Sequence, residues 1–206
     1  MGDVMDVTID SYVDKEPLHC VITNDKVINV TGEGGSGKTT YCDIYRKNSD
    51  YIVIDYDLII ADVDPKNTLE HSLREMLLRK HGVNFFRTNT LEEKRKVFTT
   101  MYEEIVDYLL PSGKTLVLDG TQLRFIDDVK KIRGELLVLR PSIETCVQRS
   151  VKRKKEQSPN ISLIELRKYE QKRRETLIQL NPLLNEFIIN VDKKLSDKSL
   201  FSNSKK

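Results

Sequence analysis

The stretch Gly32-Glu33-Gly34-Gly35-Ser36-Gly37-Lys38-Thr39 fills the pattern G-x-x-x-x-G-K-[ST]. It follows the apolar run Val27-Ile28-Asn29-Val30 and precedes Thr40-Tyr41-Cys42-Asp43-Ile44-Tyr45, which has helical character. Strand, glycine-rich loop and helix in that order are the setting in which this pattern cradles phosphate. Glycines let the loop wrap its N–H groups around phosphate oxygens, and the helix N-terminus adds its dipole. Gly34, Gly35, Ser36, Gly37, Lys38, Thr39 and Thr40 are therefore the expected phosphate-binding residues. Lys38 should reach the β- and γ-phosphates, and Thr39 should offer its hydroxyl to Mg²⁺. The expected ligand is a nucleoside triphosphate.

Working outward, five apolar runs read as buried strands: Val27 to Val30, Tyr51 to Ile54, Thr115 to Leu118, Leu136 to Leu139 and Phe187 to Val191. Between them lie polar segments of helical period, expected near 37–47, 66–81, 90–110, 123–132, 142–156 and 162–180. Thr90-x-x-Glu93 and Ser162-x-x-Glu165 have the form of capping boxes, and Asp64-Pro65 marks a further helix start. Strands alternating with helices predict an α/β fold: a five-stranded parallel sheet, helices on both faces in three layers, and a helical lid. The P-loop strand should lie between the strands ending at Asp119 and Leu139. Residues 1–25 alternate in a way that suits an extra hairpin, 26–192 form the main domain, and 193–206 read as a mobile tail.

The chain has 206 residues, enough for one such domain with a full core. Its net charge of +2 does not by itself point to nucleic acid. No apolar stretch approaches the roughly twenty residues of a membrane span, and the N-terminus lacks an apolar signal core. Cys20, Cys42 and Cys146 are far apart and odd in number, which fits neither a disulfide framework nor a metal site. A cytoplasmic protein is expected, with no membrane partner.

Other segments narrow the chemistry. Leu116-Val117-Leu118-Asp119 ends an apolar strand in a carboxylate that would support Mg²⁺ beside Thr39. A loop Asp capping the next helix is the structural alternative. Many ATPases carry a water-activating Glu after this Asp, and here the residue is Gly120. The strings Asp-x-x-Gly at this position and Asn-Lys-x-Asp later, expected of a small GTPase, do not occur. Ile52-Val53-Ile54-Asp55-Tyr56-Asp57 delivers two carboxylates to the carboxyl end of the sheet, where either can orient a hydroxyl for phosphoryl transfer. Arg149 and Arg153 lie four residues apart in a basic helix, so both project from one face. Arg167, Lys168, Lys172, Arg173 and Arg174 could extend a basic groove beside the lid, but a solvated helix face is the preferred reading.

Together these segments resemble the small P-loop kinases grouped with phage polynucleotide kinase and zeta toxin. The likeness runs from about Val27 to Val191, through Ile54-Asp55-Tyr56-Asp57, Asp119-Gly120-Thr121-Gln122-Leu123 and Arg149-Ser150-Val151-Lys152-Arg153. The resemblance implies Asp57 as general base rather than Asp55, Arg153 as the essential lid arginine with Arg149 beside it, and Thr39 and Asp119 at the metal. It also implies a phosphotransferase using ATP or GTP and Mg²⁺, acting on a hydroxyl acceptor: a nucleoside, a nucleic-acid 5′ end, a sugar or another small molecule. The polynucleotide kinases carry an Arg three residues beyond the base, and this chain has Ile60. Two rivals remain: a nucleotide monophosphate kinase using Arg74, Arg79, Arg87 or Arg95, and a nucleotide-binding regulator with slow hydrolysis.

Overall fold

The strand before the glycine-rich loop, β2 (Val27–Gly32), lies at the centre of a five-stranded sheet. The computed structural model describes residues 13–61, 68–126 and 128–202. The other strands are β1 (Lys15–Val21), β3 (Tyr51–Asp55), β4 (Thr115–Asp119) and β5 (Glu135–Arg140), in the order β1-β5-β2-β4-β3. β2 pairs in parallel with β4 on one side and β5 on the other, and β3 pairs in parallel with β4. The expected central position of β2 is therefore what is observed.

Side-chain alternation splits the sheet's apolar residues between two clusters. Ile54, Leu116, Leu118, Leu136 and Val138 join one cluster, with α2 (Tyr56–Ala61), α3 (Leu69–His81) and α4 (Leu91–Leu109). Val30, Val117 and Leu137 join another, covered by Tyr41, Cys42 and Tyr45 of α1 (Lys38–Arg46). A third cluster joins α5 (Ile143–Gln157) to α6 (Leu163–Ser202) through Ile143, Cys146, Val147 and Leu177. The capping boxes Thr90–Glu93 and Ser162–Glu165 both form, with reciprocal hydrogen bonds at each site.

Four expectations are corrected. Phe187–Val191 is not a strand but part of α6. Its β-branched composition suggested a strand, yet Leu184, Phe187 and Val191 are buried at helical spacing. Pro182 lies inside that helix. The edge position falls instead to β1, antiparallel to β5, so the sheet is mostly rather than wholly parallel.

Residues 15–21 form an edge strand on β5, and the first half of the hairpin expected within residues 1–25 falls outside the described residues. Residues 1–12 lie outside the described part. The tail expected from residue 193 is helical as far as Ser202, with Leu195 against the core. Finally, the helix expected over 123–132 is replaced by two short 3₁₀ turns, Thr121–Phe125 and Val129–Lys131. The buried residues there, Leu123, Ile126, Val129 and Ile132, recur every third position. Three-residue spacing stays on one side of a 3₁₀ turn and drifts around an α-helix. Asp64-Pro65 lies outside the described residues, and the observed cap of α3 is Thr68.

Candidate functional site

Parallel pairing brings the carboxyl ends of β2, β4 and β3 to one edge of the sheet. Val30 pairs with Asp119, and Asp119 with Asp55. The segment Gly32–Gly37 turns over this edge into α1, with Gly32, Gly35 and Gly37 at positive φ. At Gly35 the constraint is steric as well: a Cβ would lie 2.4 Å from the Cys146 carbonyl oxygen and 2.7 Å from Ser150 Oγ. The loop accordingly rests on α5, which only glycine permits here.

A cleft of about 670 Å³ opens above this loop, lined by Gly34, Gly35, Gly37, Lys38, Thr39 and Thr40, by Asp55, Asp57 and Asp119, and by Arg149 and Arg153. Every residue expected from the sequence to serve phosphate, metal, base or lid, except Ser36, lines it. Ser36 is buried beneath the loop, with an unpartnered Oγ. Lys38 is buried, and its ammonium donates to the Glu33 carbonyl oxygen at 3.1 Å. Burial draws its pKa down, against the opposing pull of the Asp119 and Asp57 carboxylates. Thr39 Oγ1 donates to Asp119 Oδ2 at 3.1 Å. Asp119 is 2 % exposed, and burial pushes its carboxyl up to about 6, against the pull of Lys38.

The two acidic residues after β3 are in different situations. Asp55 Oδ1 accepts the backbone N–H of Asp57 at 2.8 Å, so Asp55 closes the turn that starts α2. Burial raises its pKa. Asp57 stands in the first turn of α2, where its Oδ1 accepts from Gln122 Nε2 at 2.6 Å. Arg149 Nη1 donates to the Ser36 carbonyl at 3.1 Å, holding α5 against the glycine-rich loop. Arg153 lines the cleft one turn further along α5.

Three residues of the site escaped the sequence reading, and a fourth, Arg173, took the less favoured of its two readings. Arg124 and Glu33 form an ion pair at 2.7 Å, with side chains 1 % and 5 % exposed. Arg124 also donates to the Gly32 carbonyl at 3.3 Å and the Thr121 carbonyl at 2.9 Å. Gln122 lies in a string the sequence did single out, but its partner could not be read there. Arg173, expected to be solvated, lines the cleft instead. Its guanidinium lies over Gly34, where an added Cβ would fall within 1.7 Å of Nη2. Leu177 one turn on is fully buried against α5, and this turns Arg173 inward.

The donor set suits a hydrated divalent cation held jointly with phosphate. No group of three or more His, Cys, Asp or Glu side chains able to hold a metal occurs among the described residues. Mg²⁺ needs no such cage: one or two protein oxygens, phosphate oxygens and water suffice, and Thr39 with Asp119 would supply the protein share. No helix among the described residues is long and apolar enough to cross a membrane. No family model matches the chain, and no curated protein matches it either.

Proposed function

We propose that this protein is a Mg²⁺-dependent phosphotransferase of the P-loop kinase type, carrying the γ-phosphoryl group of ATP or GTP to a hydroxyl acceptor. On this reading the fold is the three-layer P-loop arrangement, with α5 and the start of α6 as the lid, in a cytoplasmic protein whose three cysteines are free thiols. The observation that carries the proposal is the shared cleft. It joins Lys38 and the Thr39–Asp119 pair to the Asp57 carboxylate.

Lys38 and the loop N–H groups bind the phosphates, and Arg149 and Arg153 meet negative charge from the lid. Mg²⁺, when bound, neutralises charge on the β- and γ-oxygens beside Thr39 and Asp119. Asp57 accepts the acceptor's hydroxyl proton while that oxygen bonds to the γ-phosphorus. The bond from phosphorus to the bridging oxygen breaks, and the nucleoside diphosphate leaves with the electron pair. Asp55 is engaged by the Asp57 backbone, which favours Asp57 as the base.

Two observations favour transfer over hydrolysis and over a phosphate acceptor. A Cβ on Gly120 would lie 2.7 Å from Gln122 Oε1 and 2.8 Å from Tyr56 Cδ2, so a water-activating Glu has no room there. None of the four arginines a monophosphate could use lines the cleft, and two of them are engaged elsewhere. Arg74 donates to the Ile59 and Ile60 carbonyls, and Arg95 pairs with Glu186. The test is γ-labelled ATP or GTP with Mg²⁺ and pools of nucleosides, sugars, nucleotides and 5′-hydroxyl oligonucleotides. Label should appear on a hydroxyl of one acceptor class. Release of inorganic phosphate only, with every pool, would favour a slow hydrolase.

A further inference from the structure

The turn after β4 touches both halves of the cleft. Arg124 holds its donor side, through the Glu33 carboxylate and the Gly32 carbonyl of the glycine-rich loop. Two residues earlier, Gln122 holds its acceptor side, donating from Nε2 to Asp57 Oδ1 at 2.6 Å. Both side chains are buried, at 4 % and 9 % exposure, so neither grip is a solvent-exposed contact that exchanges freely with water.

The turn is itself braced. Arg124 Nε donates to the Thr121 carbonyl at the turn's start, and Leu123 between the two polar residues is 1 % exposed in the main core. Gln122 presses its amide oxygen toward Gly120, which has no side chain to displace it. Its amide therefore has little freedom to leave Asp57. With Oδ1 held by an N–H donor, the second oxygen of Asp57 is the one left to accept a proton from substrate.

We propose that Gln122 and Arg124 are positioning residues: the turn fixes the Asp57 carboxylate at a set distance and orientation from the glycine-rich loop. Neither residue touches the reacting atoms. Arg124 anchors the turn to the donor side, and Gln122 transmits that anchorage to the base. This role rests on the phosphotransferase reading and adds to it the part that aligns proton acceptance with phosphoryl transfer. In-line transfer depends steeply on such alignment, because misplacement by about 1 Å can lower a rate on the order of 10²-fold.

The test is steady-state transfer by the parent, Gln122→Leu, Gln122→Glu, Asp57→Asn and the double variant Asp57→Asn/Gln122→Leu. Gln122→Leu should lower kcat by roughly 10- to 100-fold while nucleotide affinity stays within about twofold. Gln122→Glu keeps the shape but sets a carboxylate against a carboxylate, and should lower kcat at least as far. In the Asp57→Asn background the Leu substitution should add little, since a residue acting through Asp57 has nothing left to position. Full kcat in Gln122→Leu, or losses that simply multiply in the double variant, would overturn the proposal. Absence of transfer by the parent with every acceptor would instead overturn the phosphotransferase reading beneath it.

Discussion

Thr39 Oγ1 donates to Asp119 Oδ2 at 3.1 Å, joining the first turn of α1 to the end of β4 across 80 positions of chain. The bond exists because β2 and β4 are parallel neighbours with Val30 opposite Asp119, so both strands end at the same edge. It pairs a hydroxyl with a buried carboxylate where a phosphate-bound cation would sit. The proposed chemistry is built around this pair.

Lys38→Ala removes the buried ammonium that faces the cleft. A charge-assisted contact to phosphate contributes about 1.5–3 kcal/mol, so nucleotide Kd should rise on the order of 10- to 100-fold. Calorimetric titration with Mg-nucleotide measures this directly. Parental affinity in the variant would remove Lys38 from the donor site.

Asp119 gives a pH-dependent stability prediction. Its carboxyl titrates near 6 when folded, against an ordinary value of 3.8, because burial disfavours the charged form. The folded state therefore holds the proton more tightly than the unfolded state. Stability of the metal-free protein should fall as pH rises from about 4 to about 6 and level off above. Asp119→Asn removes this penalty and should stabilise the metal-free protein by about 1–3 kcal/mol at pH 8, with little gain at pH 4. The same substitution should abolish Mg²⁺-dependent transfer. Urea unfolding of both proteins at the two pH values checks the sign, and a variant less stable at pH 8 would contradict it.

α5 meets the glycine-rich loop at Cys146, Arg149 and Ser150, and α6 meets it at Arg173. Mg-nucleotide should therefore slow amide hydrogen exchange in α5 and in the 158–162 connection to α6. Arg153→Ala should lose transfer rate much more than nucleotide affinity, since charge spreads onto the transferred group only in the transition state. Exchange indifferent to nucleotide, together with full activity of Arg153→Ala, would make this a plain structural helix.

Much of the site was legible because its chemistry is written in short strings. Gly32 to Thr39 needs a strand before it and a helix after it, and Asp119 and Asp55 end apolar runs that do form strands, with Asp57 two residues on. The pairings Arg124–Glu33 and Gln122–Asp57 were not legible, because partners 91 and 65 positions apart leave no local periodicity. Arg173 looked solvated for a related reason: its helix is polar on most sides, and it is the docking of α6 on α5, through Leu177 and the Arg174–Glu144 pair, that turns it inward. The Phe187–Val191 error has a different origin. Ile188, Ile189 and Val191 favour strands locally, yet burial of Leu184, Phe187 and Val191 along one helix side outweighs that preference.

The thiols offer a check on packing independent of catalysis. Burial raises Cys42 to about 12 and Cys146 to about 11, and lifts half-buried Cys20 as well. At pH 8 all three should remain protonated and react slowly with a disulfide reagent that needs thiolate, Cys20 first. Three equivalents should titrate rapidly once the chain is denatured. Rapid native modification of Cys42 or Cys146 would contradict the packing of α1 or α5.

Asp57→Asn tests the central claim most directly, because it retains the side-chain shape and removes the proton acceptor. With a hydroxyl acceptor identified, the transfer rate should fall by roughly 10²- to 10⁴-fold while Mg-nucleotide affinity stays near the parent's. A variant keeping more than about a tenth of parental transfer, an outcome outside that range for a lost general base, would contradict the account.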